Sequence, residues 1–227
     1  MNPADAIAAA LVANAVDPDL AARLARYGQL VLEANRTTNF TAARDPATFA
    51  EHILDALTLA GDIDGPLIDL GSGAGLPGMP LAIVTGYPVV LVDSVKKKAA
   101  FLARALRELG LAGEVVDRRA ESLGGDPAFR EKFRCATARA VAAAPTVAEL
   151  TVPFLAIGGR ALLQRGVMDE RERQAVTDAA PMLGAEVVEE RLLTGDRRIL
   201  ILVKRTATPP RFPRREGIPE KRPLCLT

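Results

Sequence analysis

Residues Leu67–Val84 read LIDLGSGAGLPGMPLAIV, and this segment holds four glycines and two prolines. Leu67-Ile68-Asp69-Leu70 has the apolar character of a short buried strand, and Met79 to Val84 that of the first turns of a packed helix. Glycine adopts positive φ without steric penalty and lets another group approach the backbone closely. A glycine turn between a strand and a helix also aims backbone N–H groups at whatever sits over the helix start. The turn is therefore read as a ligand site.

The pattern differs on its two sides. Upstream, DPDLAARLARYGQLVLEAN has Leu20, Leu24, Tyr27, Val31 and Ala34 at alternating steps of four and three, the spacing of one helical face. Asp17 and Pro18 suit its cap and first turn. DPATFAEHILDALTLA opens on Asp-Pro in the same way, and RTTNFTAARD connects the two. Downstream of Gly65-Pro66, short apolar runs alternate with helical periods, as in a parallel sheet joined by right-handed crossovers. Strands are predicted at Leu67–Leu70, Val89–Val92, Gly113–Val116, Cys135–Ala138, Arg160–Leu163, Glu186–Val188 and Ile199–Val203. The helices between them are predicted at Met79–Thr85, Val95–Leu109, Pro145–Leu155 and Asp169–Met182. The last two strands are so close in sequence that they should form an antiparallel hairpin at the sheet edge. The expected organisation is a helical extension over 1–64, an α/β core over 65–205 and a proline-rich strap over 206–227. Prolines in TPPRFPRREGIPEKRPL should keep that strap extended and free of regular structure.

The chain of 227 residues is 49% hydrophobic, enough for a sizeable core. No run approaches the roughly 18 to 20 apolar residues of a membrane span, and the N-terminus lacks the basic region of a signal peptide. A cytoplasmic protein that uses no membrane is expected. Cys135 and Cys225 form no CxxC or Cys/His grouping, so neither a disulfide framework nor a metal site is indicated, and Cys135 reads as a small core residue. His52, the one histidine, reads as a structural side chain, paired one turn on with Asp55. The net charge of +1 averages unlike parts: from Lys204 onward seven Lys/Arg face two acids, leaving the body at −4. That asymmetry points to a polyanion at the basic end.

Gly73-Ala-Gly75-Leu-Pro-Gly78 satisfies GxGxxG, and Asp93 ends the next strand, as in a dinucleotide site. The same features fit S-adenosylmethionine, because both ligands carry an adenosine whose diol suits a carboxylate. Asp93 does not discriminate between them. Asp69, two residues before the first glycine, does bear on the choice: it would repel a pyrophosphate and suits an ammonium group. This favours S-adenosylmethionine, with an NAD-dependent oxidoreductase as the rival.

DLGSGAGLPGMPLAI, LVDSVKKKAAFLARALRELGL, RRAESLGGDPAFREKFRCATARAVA, NFTAARDPATFAEHILDAL and PRREGIPEKRPL together resemble the glucose-inhibited division protein B family of 16S rRNA guanine-N7 methyltransferases. The resemblance runs from about Thr38 to Leu224. It implies a class I Rossmann-like methyltransferase fold, with a seven-stranded, mostly parallel sheet. It also implies S-adenosylmethionine as donor and a guanine of the small-subunit decoding-region loop as acceptor, in free 16S rRNA or the small ribosomal subunit. Carried over by position, it implies cofactor contacts at Gly71, Gly73, Gly75 and Leu76, ribose at Asp93, adenine at Ala120 and Glu121, and the methionine end near Arg139. The chain departs from the family at Gln164-Arg165-Gly166, where Lys-Gly is usual, so Arg165 keeps the charge with a different geometry.

Guanine N7 offers a lone pair and no proton, so its methylation needs in-line approach and no general base. In agreement, ATARAVAAAP lacks both an Asn/Asp-Pro-Pro-aromatic grip for an exocyclic amine and a Pro-Cys nucleophile, and no catalytic residue is assigned. Candidates for RNA contact are Asn39, Thr41 and Arg44 in the connector, Arg165 and Arg197 on the sheet rim, and Arg211, Arg214 and Arg215 in the tail. Lys96-Lys97-Lys98 suits either a solvated face or an RNA contact. With no Trp, seven Phe and two Tyr, few aromatics are available for base stacking, and phosphate contacts and a base pocket should dominate. On this reading, deleting Thr208–Thr227 weakens RNA binding and spares the cofactor site. A monomer is expected, with no bound metal.

Overall fold

The computed structural model describes residues 2–139 and 142–226. Residues 140 and 141, within ATARAVAAAP, therefore lie outside the described residues. In chain order the elements are α1 (Pro3–Ala13), α2 (Pro18–Asn35), α3 (Pro46–Leu57), β1 (Leu67–Leu70), α4 (Gly78–Thr85), β2 (Val89–Val92), α5 (Lys96–Glu108), β3 (Gly113–Val116) and α6 (Ala120–Leu123). They continue with β4 (Phe133–Arg139), α7 (Ala144–Thr151), β5 (Leu155–Arg165), α8 (Glu170–Met182), β6 (Ala185–Leu192), β7 (Arg198–Lys204) and α9 (Ile218–Lys221). The seven strands run in the order β3-β2-β1-β4-β5-β7-β6. Pairs β2/β3, β1/β4 and β4/β5 are parallel, whereas β7 is antiparallel to both β5 and β6.

The expected edge hairpin is present, and its second strand takes the inner place. Composition explains why: RILILVK of β7 is almost wholly buried, whereas AEVVEERL of β6 is largely open. A charged strand at a sheet edge also discourages pairing with other chains. The helix expected over Pro145–Leu155 stops at Thr151, and a 3-10 turn over Val152–Phe154 leads directly into β5. Pro153 lacks the N–H that an α-helix would need there.

The chain forms two compact units, one of the residues up to Ile63 with Ser72–Asp117, the other of Asp64–Gly71 with the residues from Arg118 onward. Helices α1, α2 and α3 start on one recurring device. Asn2, Asp17 and Asp45 each accept a backbone N–H from the first turn, and each is followed by proline; proline suits that position because its missing N–H is not required. The first unit's core gathers Ile7, Leu24, Tyr27, Phe49, Ile53, Met79 and Leu102, all fully buried. Tyr27 and Phe49 lie tilted with ring centroids 5.7 Å apart, and Phe49 meets the edge of His52. In the second unit Phe154, Leu162, Leu163 and Ile199–Leu202 form the centre. Cys135 is buried there as expected, and burial pushes its thiol up to about 11.

Candidate active site

From Ser72 onward, in the first unit, the glycine turn is held by backbone hydrogen bonds. Ser72 N–H donates to Val92 O, and Ser72 O accepts from the N–H groups of Gly75 and Leu76 at 2.7 and 3.1 Å. Gly71, Gly73 and Gly75 have φ of 69°, 58° and 104°, values that a side chain would oppose. Gly73 N–H donates to Asp93 Oδ2 and Val95 N–H to Asp93 Oδ1, both at 2.9 Å. One carboxylate thus joins the glycine turn to the start of α5. It is only 7% exposed, yet each oxygen has a second acceptor position for an outside hydroxyl.

Gly75 has a different reason to be glycine. A Cβ there would stand 2.6 Å from Met79 Cγ, 3.1 Å from Leu102 Cδ2 and 3.2 Å from the Tyr27 hydroxyl. That hydroxyl itself donates to Ala74 O at 3.0 Å. Of the predicted cofactor glycines, Gly71 is exposed and Gly73 half-buried, whereas Gly75 is enclosed, as is the Leu76 side chain.

In the second unit Asp69 is opposite Thr137 in the β1/β4 register and accepts from its hydroxyl at 2.9 Å. Asp69 is fully buried, so it braces two strands rather than lying open to an ammonium group. Ala120 begins α6, and the adjoining Glu121 accepts the Gly217 N–H at 3.0 Å through Oε1. Arg139 ends β4, half-buried, beside Gln164 of β5.

The basic candidates separate into committed and open groups. Arg165 is not a rim cation. Its guanidinium donates to Ala142 O at 2.8 Å and to Glu172 at 2.5 Å, and its side chain is 12% exposed. Burial draws its pKa below the ordinary arginine value despite the Glu172 charge. Arg214 is likewise committed: its Nε and Nη2 grip the Glu149 carboxylate, the Arg214 N–H donates to the same group, and Nη2 also reaches Arg222 O. A forked pair of this kind is directional and leaves little capacity for a phosphate. Arg197 is exposed in the β6–β7 turn, with Nε on Thr194 O at 3.3 Å. Arg211 is exposed with its guanidinium 5.1 Å from the Phe212 ring centroid, and Arg215 is exposed. In the connector Arg44 donates to Asn39 Oδ1 at 2.7 Å and to Thr41 O at 3.1 Å. The three connector residues are thus linked to one another.

The tail is a latch and not the extended strap expected. Arg130 donates to the carbonyls of Gly124, Thr208, Pro209 and Phe212. Lys204, fully buried, bonds Val152 O and the Thr208 hydroxyl and pairs with Glu131 at 3.1 Å. Thr146 donates to Pro219 O, and the prolines permit the short α9 because Pro219 sits in its first turn. Sequence reasoning missed Glu149, Lys204, Arg130 and Glu131. The available signal was a charge inside an apolar run, as in ILILVK. It also missed Asn35, whose amide holds Phe40 and Thr41 by their N–H groups and Thr41 and Ala43 by their carbonyls.

A seven-stranded sheet with β7 reversed between β5 and β6, a glycine turn after β1 and an acid after β2 make up the class I Rossmann-like methyltransferase fold. Solved structures of the same fold include a mitomycin 7-O-methyltransferase, at TM-score 0.56 and 14% identity over 81% of this chain and 70% of that one. Another is the branched-chain polyamine synthase of Thermus thermophilus, at TM-score 0.58 and 15% identity over 83% of this chain and 65% of that one. The chain belongs to the GidB family, described as rRNA small subunit methyltransferase G, whose profile matches residues 20–201. Ribosomal RNA small subunit methyltransferase G of Pelotomaculum thermopropionicum is 41% identical, over 87% of this chain and 88% of that protein. Its namesake in Rubrobacter xylanophilus is 42% identical, over 86% and 80%. Among the described residues no helix is long and apolar enough to cross a membrane.

Proposed function

We propose that this chain methylates N7 of a guanine in 16S rRNA, with S-adenosylmethionine as donor. The observation that carries the reading is the glycine turn closed on Asp93, in a chain whose family is one of small-subunit rRNA methyltransferases. Asp93 would receive the ribose hydroxyls on its spare acceptor positions, and Gly71 and Gly73 would let the cofactor approach the backbone. Ala120, Glu121 and Arg139 are assigned to the adenine and methionine ends by the family pattern. S-adenosylmethionine supplies an electrophilic methyl group on a sulfonium. The chain's own task is to orient the guanine, exclude water and leave the N7 lone pair free. No proton leaves N7, so no side chain has to act as a base. We further propose that the enzyme works as a monomer in the cytoplasm, without a metal and away from membranes.

The test is incubation with labelled S-adenosylmethionine and small subunits lacking the modification, followed by mapping of the label. One N7-methylated guanine in 16S rRNA is the expected result. Label on another base or on protein refutes it, and nicotinamide-dependent turnover without methyl transfer favours the dehydrogenase rival.

A further inference from the structure

A second binding feature lies in the first unit, away from the glycine turn. The end of α2, the connector and the outer face of α5 enclose a cleft of about 380 Å³ lined by Thr37, Thr38, Phe40, Lys97, Phe101 and Arg104 among others. Phe40 and Phe101 lie 4.8 Å apart between centroids, tilted by 38°, and the Arg104 guanidinium is 5.7 Å from the Phe101 centroid. Phe101 is buried and anchors the pair, whereas Phe40 is half-buried. Asn35 Oδ1 holds the Phe40 N–H at 2.8 Å, so the ring is presented by a braced loop. Arg104 has Glu108 at 3.6 Å and stays half exposed. Lys97 is exposed and engages no acid among the described residues.

We infer that this cleft binds one unpaired nucleotide of the rRNA substrate, its base against Phe40 and its phosphate on Lys97 and Arg104. The inference rests on the RNA specificity proposed above. An aromatic face joined to cations is the combination that holds a splayed-out nucleotide. An apolar peptide would leave Lys97 without a counter-charge, and a free phosphate would leave the phenyl rings unused. Base stacking thus has a place in a chain whose composition pointed chiefly to phosphate contacts and a base pocket.

The test compares wild type with Phe40→Ala, Phe40→Trp, Lys97→Ala and Lys97→Arg in methyl transfer to small subunits, with thermal melts as a folding control. Calorimetric titration with S-adenosylhomocysteine runs alongside. Phe40→Ala and Lys97→Ala should each raise KM for the subunit about tenfold, the loss of one stack or one phosphate contact, with kcat and S-adenosylhomocysteine affinity kept. Phe40→Trp and Lys97→Arg should restore KM. Lys97→Ala should also lower the salt slope of RNA binding by about one. KM values within about twofold of wild type for both alanine variants overturn the inference, since a lost stack exceeds that. If wild type itself transfers no methyl group, the proposed function fails. The cleft is then judged by anisotropy with a fluorescent single-stranded RNA: weaker binding by both alanine variants supports it, and unchanged binding rejects it.

Discussion

Asp93 and Gly75 show how one motif carries two kinds of constraint. Asp93 accepts two backbone N–H groups and keeps further acceptor capacity for a ligand. Asp93→Asn retains one acceptor oxygen and loses the charge, so S-adenosylhomocysteine affinity should fall about tenfold, the worth of one charge-assisted hydrogen bond. Calorimetric titration checks this, with RNA binding expected to stay unchanged. Gly75→Ala acts on the fold instead, because its φ of 104° and the Met79 side chain at 2.6 Å both oppose a methyl group. A loss of about 2 kcal/mol is expected, the scale of backbone strain added to overpacking, read as a lower denaturation midpoint. The spacing from Gly73 to Asp93 was legible in the sequence because it follows from one strand–helix–strand repeat. That Gly75 answers to Tyr27 and Leu102 as well was not, since those residues meet it only when helices distant in sequence pack.

At the scale of elements, the tail changes role once its contacts are known. Glu149 is fully buried in α7 and its partner Arg214 is a quarter exposed. Glu149→Gln should therefore destabilise by about 3 kcal/mol, the low end for breaking a buried pair, as measured by urea unfolding. Deleting Thr208–Thr227 also removes the Thr208, Pro209 and Phe212 carbonyls that Arg130 holds and the Thr208 hydroxyl on Lys204, and is expected to lower the stability of the second unit as well as RNA binding. Titration adds a second check. Burial would raise the Glu131 carboxyl, but the Thr208 N–H and the Lys204 ammonium hold it below its ordinary 4.5. Glu190 is lowered too, chiefly by the Arg173 hydrogen bond. A carboxyl lowered on folding contributes stability above its unfolded pKa, and that stability is lost as pH falls through the folded value. Tm should therefore drop as pH falls below 4.5. Lys204 acts in the same direction in a more alkaline range: burial lowers its pKa, so its contribution improves as pH rises from the folded value toward the unfolded one.

For the molecule as a whole, the reaction class predicts its own pH behaviour. Methylation of a lone pair moves the positive charge from sulfur to the purine and releases no proton from N7. The kcat should then show no inflection from an essential base between about pH 6 and 9, where such bases titrate; a limb of unit slope in single-turnover rates would contradict the mechanism.

Except for helices α1, α6 and α9, the order and type of the strands and helices, the strand–turn–helix at Leu67–Val84 and the acid at Asp93 followed from the sequence by itself. They are local: strand and helix periods, proline and glycine conformations and the spacing of one repeat are properties of neighbouring residues. Only the tertiary structure decided which charges are available to a ligand. Arg165 and Arg214 read as free cations along the chain but are held by Glu172 and Glu149, while Lys97 stays open beside Phe40. Ion pairing between residues on different elements depends on packing, and desolvation makes a buried charge take a partner wherever the fold supplies one.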